Sequence, residues 1–128
     1  MYRAFGLLQP HNDFDLDTAA ARLAERLAGS SSRRDGEVVT ISKGNWEMYL
    51  AVVSGPHVVT ETIGITDRLA GFEREEAEAL ASSNKRIEIW TDTPDPFMEH
   101  FNDYLTAVEV LKSFKGVVVV DPNEPSLL

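Results

Sequence analysis

Residues 86–120 read RIEIWTDTPDPFMEHFNDYLTAVEVLKSFKGVVVV, and this stretch decides the fold class. In Arg86-Ile87-Glu88-Ile89-Trp90 the aliphatic side chains alternate with charged or aromatic ones, the period-two pattern of a half-buried strand. Pro94, Asp95 and Pro96 then interrupt the chain. Phe97, Phe101, Leu105, Val108 and Leu111 follow at the spacing of one helix face. Gly116 stops that helix, and Val117 to Val120 form an uninterrupted β-branched strand that ends at Asp121-Pro122. Strand, helix and strand in this order predict an α+β domain and name no reaction.

Working outward, residues 2–8 read as a first strand, with Phe5 and Leu7 on one face and Tyr2, Ala4 and Leu8 on the other. Neither face is strongly polar, so the strand belongs inside a sheet. Leu16, Ala20, Leu23 and Leu27 keep a helical period, Asp15 or Asp17 can cap the free amides, and Gly29 stands where the helix would end. Ser30 to Gly36 is short and polar and reads as a loop. Glu37 to Ser42 and Trp46 to Val53 read as antiparallel strands turning through Lys43-Gly44-Asn45, with Trp46, Met48, Leu50 and Val52 on one face. Residues 58–70 carry β-branched residues that suit a strand, but Val59, Ile63 and Leu69-Ala70 fit a helical stripe, and helix is the expectation. Phe72 to Ser82 is acidic and alanine-rich and reads as a helix with a solvated face.

The resulting order is β-α-β-β-α-α-β-α-β. It predicts a two-layer α+β sandwich, a ferredoxin-like variant with a mainly antiparallel sheet and helices on one face. The expected core comprises Phe5, Leu7, Leu23, Leu27, Ile41, Leu50, Ile87, Ile89, Phe101, Leu105, Val108 and Val118.

A length of 128 residues suits a single domain spanning residues 1–128, and the 43% hydrophobic share is too high for a disordered chain. With no cysteine, disulfides, thiolate metal sites and thiol nucleophiles are excluded, and a reducing cytoplasm fits. The first residues lack the pattern of a signal peptide, and no stretch approaches the roughly 20 apolar residues of a bilayer span, so a soluble cytoplasmic protein is expected. The net charge is −9, with 7 acids against 6 bases in residues 1–60 and 14 against 6 in residues 61–128. The only basic pairs, Arg33-Arg34 and Lys85-Arg86, are a poor footprint for polyanions, so neither nucleic acid nor an anionic membrane is the expected partner.

Two clusters could carry chemistry. His11, Asp13, Asp15 and Asp17 space carboxylates like the start of a calcium loop, but Thr18 stands where its glycine belongs and Ala24 where its bidentate glutamate belongs. Helix capping explains these aspartates better. Asp92, Asp95, Glu99, His100 and Asp103 could hold a divalent ion or move protons. They also occupy the side of the last helix opposite its apolar stripe, where a solvated face belongs, and Asp95-Pro96 is an ordinary helix start. Ser30-Ser31-Ser32 and Ser82-Ser83 sit in no nucleophile elbow, His57 follows Pro56 at a turn, and phosphate-binding glycine loops are missing. No catalytic residue, metal or cofactor is expected.

If Ile87, Ile89 and Thr91 face the helices, then Arg86, Glu88 and Trp90 lie on the opposite side of the sheet, joined by Tyr49 and Glu47. Aromatics among opposite charges suit protein recognition. Trp90, Tyr49, Arg86 and Glu88 are therefore the candidate interface.

Arg86-Ile87-Glu88-Ile89-Trp90, His100-Phe101-Asn102-Asp103-Tyr104-Leu105 and Gly116-Val117-Val118-Val119-Val120-Asp121-Pro122 together resemble small bacterial domains of unknown function. Some of those resemble immunity proteins of polymorphic toxin systems. The resemblance implies an acidic, cytoplasmic, non-enzymatic module, and the sheet face around Trp90 is expected to bind a protein partner or a copy of itself. A small-ligand or regulatory domain using the open sheet face is the alternative, followed by an enzyme with a carboxylate and histidine site.

Overall fold

Strands that are apolar on both sides need cover on both sides, and two such strands set the architecture. Arg3–Leu8 (β1) and Val117–Asp121 (β6) lie side by side in a sheet completed by Ser31–Asp35 (β2), Val38–Lys43 (β3), Trp46–Ser54 (β4), Lys85–Trp90 (β5) and Ser126–Leu127 (β7). The helices are Leu16–Arg26 (α1), Pro56–Arg68 (α2), Arg74–Ala81 (α3) and Phe101–Lys112 (α4). This is a computed structural model, and it describes residues 2–69, 71–123 and 126–128. The seven strands run in the order β2-β3-β4-β5-β1-β6-β7, and each neighbouring pair is antiparallel. The protein is therefore α+β, with an open antiparallel sheet.

The expected order gains two strands. Ser31–Asp35 is not a loop but an edge strand paired with β3, turning through Gly36 at φ 61° and Glu37. All five of its residues are exposed, so no apolar alternation marks it, and its arginines blunt the edge. The other addition, β7, is only two residues long. Residues 56–68 are helical, which resolves the ambiguous segment in favour of helix. Ala70, the last residue of that expectation, lies outside the described residues.

Helices on one face only is also incorrect. On one side α1 and α4 pack Leu16, Leu23, Tyr104, Val108 and Leu111 against Ala4, Ile41, Leu50, Ile87, Ile89 and Val119. On the other side α2 and α3 bring Ile65 and Leu80 onto Phe5, Leu7 and Val120. Those three strand residues would otherwise leave an apolar patch in water.

The last helix begins later than expected and is turned slightly. It starts at Phe101, so Phe97 precedes it and is 83% exposed. The inward stripe is Tyr104, Ala107, Val108, Val110 and Leu111. Leu105, expected in the core, is 37% exposed. Phe101 and Val118 are half-buried against the two clusters, and the other expected core residues are buried.

Candidate functional site

Paired residues of antiparallel strands share a face. The registers Arg33↔Thr40, Thr40↔Tyr49, Tyr49↔Trp90 and Trp90↔Arg3 thus set five side chains in one row across β2, β3, β4, β5 and β1. The row lies on the face that carries α2 and α3, beyond the Phe5 and Leu7 that those helices cover. At its centre the rings of Tyr49 and Trp90 stack, with centroids 5.2 Å apart and planes inclined by 22°. Both are half-buried. Beside Trp90 lies an open concavity of about 510 Å³, lined by Tyr2, Arg3, Val53, Glu88 and Asp92 among others. Burial raises the Tyr49 hydroxyl above the ordinary tyrosine range, and the carboxylates of Glu47 and Asp92 add to this.

Three of the four expected interface residues, Trp90, Tyr49 and Glu88, are partly accessible on this face. Arg86 shares the face but is only 3% exposed. Its Nη2 donates to Glu88 Oε2 at 3.0 Å and to Glu61 Oε1 at 3.2 Å, and its guanidinium carbon sits 3.8 Å from the centroid of the Phe5 ring. Arg3 adds a looser contact, 3.7 Å to Glu88 Oε1. A buried guanidinium needs such partners to offset its lost hydration. Arg86 thus ties α2 to the sheet and is not an open contact. Strand alternation predicts its face, but its burial depends on Glu61, which lies 25 positions away and carries no local signal.

The first acidic cluster is dispersed. Asp15 caps α1, accepting from the Thr18 amide at 2.9 Å and the Thr18 hydroxyl at 2.7 Å, and these bonds hold its carboxyl below the usual range. Asp13 accepts from the Lys115 amide, Asp17 pairs with Arg34, and His11 is exposed. The second cluster divides as well. Burial alone would raise the Asp95 carboxyl, but bonds from the Tyr2 hydroxyl and the His100 and Glu99 amides outweigh it and hold the carboxyl low. Asp103 lies between Lys43 Nζ and His100 Nδ1, each 3.0 Å away. The His100 ring stacks on buried Trp46 with centroids 4.5 Å apart. Among the described residues no group of three or more His, Asp or Glu side chains is placed to hold a metal ion.

The remaining candidates have local roles. Ser30, Ser82 and Ser83 bond nearby backbone carbonyls, and His57 is exposed in the first turn of α2. Sequence reasoning missed Arg3, which lines the concavity, and the prominence of Phe97 and Met98, the latter 59% exposed. The helical spacing of Phe97 concealed its exposure. Among the described residues no helix is long and apolar enough to cross a membrane. No family model, curated protein or solved structure matches the chain.

Proposed function

We propose that this chain is a non-catalytic protein-binding module of the immunity-protein kind, working in the cytoplasm by covering a partner's surface. The stacked Tyr49 and Trp90 pair, on the part of the sheet beyond α2 and α3, carries the reading. Two rigid aromatics offer large contact area at little entropic cost, and Arg3 and Arg33 at the ends of their row supply oriented donors. The net charge of −9 favours a basic protein over nucleic acid or an anionic membrane. The central order β4-β5-β1-β6, with α1 and α4 on one side, supports treating the fold as a ferredoxin-like variant enlarged by a hairpin and by α2 and α3.

The concavity beside Trp90 favours a second reading, a small-molecule site, because its volume of about 510 Å³ falls in the range of ordinary ligand pockets. One comparison separates the two. Trp90→Ala should leave the thermal melt of the chain close to wild type and abolish co-purification of a specific polypeptide from the native cells, identified by mass spectrometry. Equal recovery by wild type and variant refutes the protein-binding reading. A wild-type chain that carries a small molecule lost in the variant supports the second.

A further inference from the structure

We infer that Phe97 and Met98 form a preordered apolar knob that inserts into an apolar pocket, rimmed by Lys and Arg, on a basic partner protein. The inference rests on the protein-binding reading and names the class of partner and the anchor.

Phe97 is 83% exposed and Met98 59%. Apolar side chains this exposed stand out here because the loop that presents them is built firmly. The Met98 amide donates to the Asp95 carbonyl at 3.1 Å, closing a turn over Pro96 and Phe97. The Asp95 carboxylate accepts from the Glu99 amide at 3.0 Å, the His100 amide at 2.9 Å and the Tyr2 hydroxyl. Met98 has φ 56°, the one positive value among the described non-glycine residues. A residue with a side chain is held there only when its surroundings over-determine the backbone, and such strain collects at functional positions. A turn that fixes two apolar side chains in water before any partner arrives lowers the ordering cost of binding. Aromatic residues and methionine are also the types enriched at interface centres.

Charge selects the occupant. Residues 91–105 contain Asp92, Asp95, Glu99 and Asp103 and no Lys or Arg. Asp103 is met by Lys43, whereas Asp92 and Glu99 are exposed on either side of the knob. A second copy at −9 would bring the same acidic rim and repel, and anionic lipid or nucleic acid would repel likewise. A basic rim around an apolar pocket satisfies both features. Asp92 lines the concavity beside Trp90, and Tyr2, whose ring packs on Phe101 and Tyr104 on the α4 side of the sheet, borders the concavity and holds Asp95 with its hydroxyl, so the knob lies near the end of the sheet where the concavity opens.

The test replaces Phe97 by p-benzoylphenylalanine in the full chain and irradiates the cells that natively produce it. The cross-linked peptide should come from one basic protein, at an apolar pocket flanked by Lys or Arg. With that protein purified, Phe97→Ala should raise Kd by about 30-fold or more, the range of an aromatic anchor. Glu99→Lys should weaken binding mainly through a slower association that loses its salt dependence. Ile63→Ala, an exposed apolar residue on α2, should leave Kd unchanged. Cross-links only to a second copy, to lipid or to nucleic acid, no product above the unirradiated control, or equal Kd values for Phe97→Ala and Ile63→Ala would each overturn the inference. If Trp90→Ala abolishes binding of the partner while Phe97→Ala leaves it intact, the sheet face stands as the interface and the knob falls.

Discussion

Replacing Arg86 by methionine keeps an unbranched apolar stem and removes a guanidinium that is 3% exposed. Two carboxylates lose their hydrogen-bonded guanidinium. Glu61, with a side chain 45% exposed, can turn to water, but Glu88, at 13%, cannot. Stranding one member of a buried ion pair costs about 3–5 kcal/mol. Because Arg3 remains 3.7 Å from Glu88, the cost should fall at the lower end, about 3 kcal/mol. With a urea slope of about 1.5 kcal/mol/M, the unfolding midpoint should drop by about 2 M. Removing Glu88 as well, in Arg86→Met/Glu88→Met, replaces the pair with apolar groups of similar volume and should recover at least half of the loss, since such replacements are often near neutral. The assay is equilibrium urea unfolding of wild type, both single variants and the double variant. A midpoint for Arg86→Met within about 0.5 M of wild type, or strict additivity of the two single variants, would refute the claim that Arg86 and Glu88 form a coupled buried pair.

Leu111→Ala, at a fully buried position, should cost about 2–5 kcal/mol in the same assay, and Leu105→Ala less than about 1 kcal/mol; equal costs would mean that α4 faces the sheet differently. The Tyr104 hydroxyl donates to the Arg3 carbonyl at 3.2 Å, and burial, aided by Asp121, pushes its pKa up to about 12. Since this lies above the unfolded value near 10, its contribution is complete below pH 10 and is lost as pH rises from 10 toward 12; Tyr104→Phe should flatten that alkaline limb, and an unchanged slope would refute the assignment. Gly116→Ala forces a side chain onto a backbone with φ 76° and brings its Cβ to 2.6 Å from the His11 carbonyl oxygen, whereas Gly29, at φ 78°, has nothing within 4 Å. The Gly116 change should therefore lower Tm several degrees more than Gly29→Ala, and similar melts would refute the close packing of the α4–β6 turn on the β1–α1 loop.

The sequence made visible those elements whose burial has a single period. The alternation of Ile87 and Ile89, the turn at Gly44 and the Asp15 cap each follow from residues a few positions apart, and the structure contains all three. Strand β2 escaped because Ser31–Asp35 is exposed throughout, and an edge strand without a buried face gives no alternation. The pair Gly36-Glu37 was its one available signal, a two-residue turn with glycine at the first central position and a positive φ. The register of α4 was ambiguous in the chain itself: Phe97, Phe101, Leu105 and Val108 make one plausible stripe, and Tyr104, Val108 and Leu111 another. The choice depends on where the helix starts, which the Asp95 turn fixes through bonds to Glu99, His100 and Tyr2. At the candidate site, alternation indicated the shared face of Trp90, Glu88 and Arg86. It could not show that α2 would close over one end of that face.

The placement of β1 sets a timetable for synthesis. Among the described residues its strand neighbours are β5 and β6, and some 76 residues separate Leu8, where β1 ends, from Lys85, where β5 begins. At about 5–20 residues per second, the first strand leaves the ribosome roughly 4–15 s before its earliest partner exists. During that interval the meander of β2, β3 and β4 can form from neighbouring segments, while Phe5, Leu7 and Leu8 have no sheet to join. This interior strand of the finished sheet is thus the last of the early strands to be used, and the nascent chain must keep an apolar segment from straying until its far half arrives.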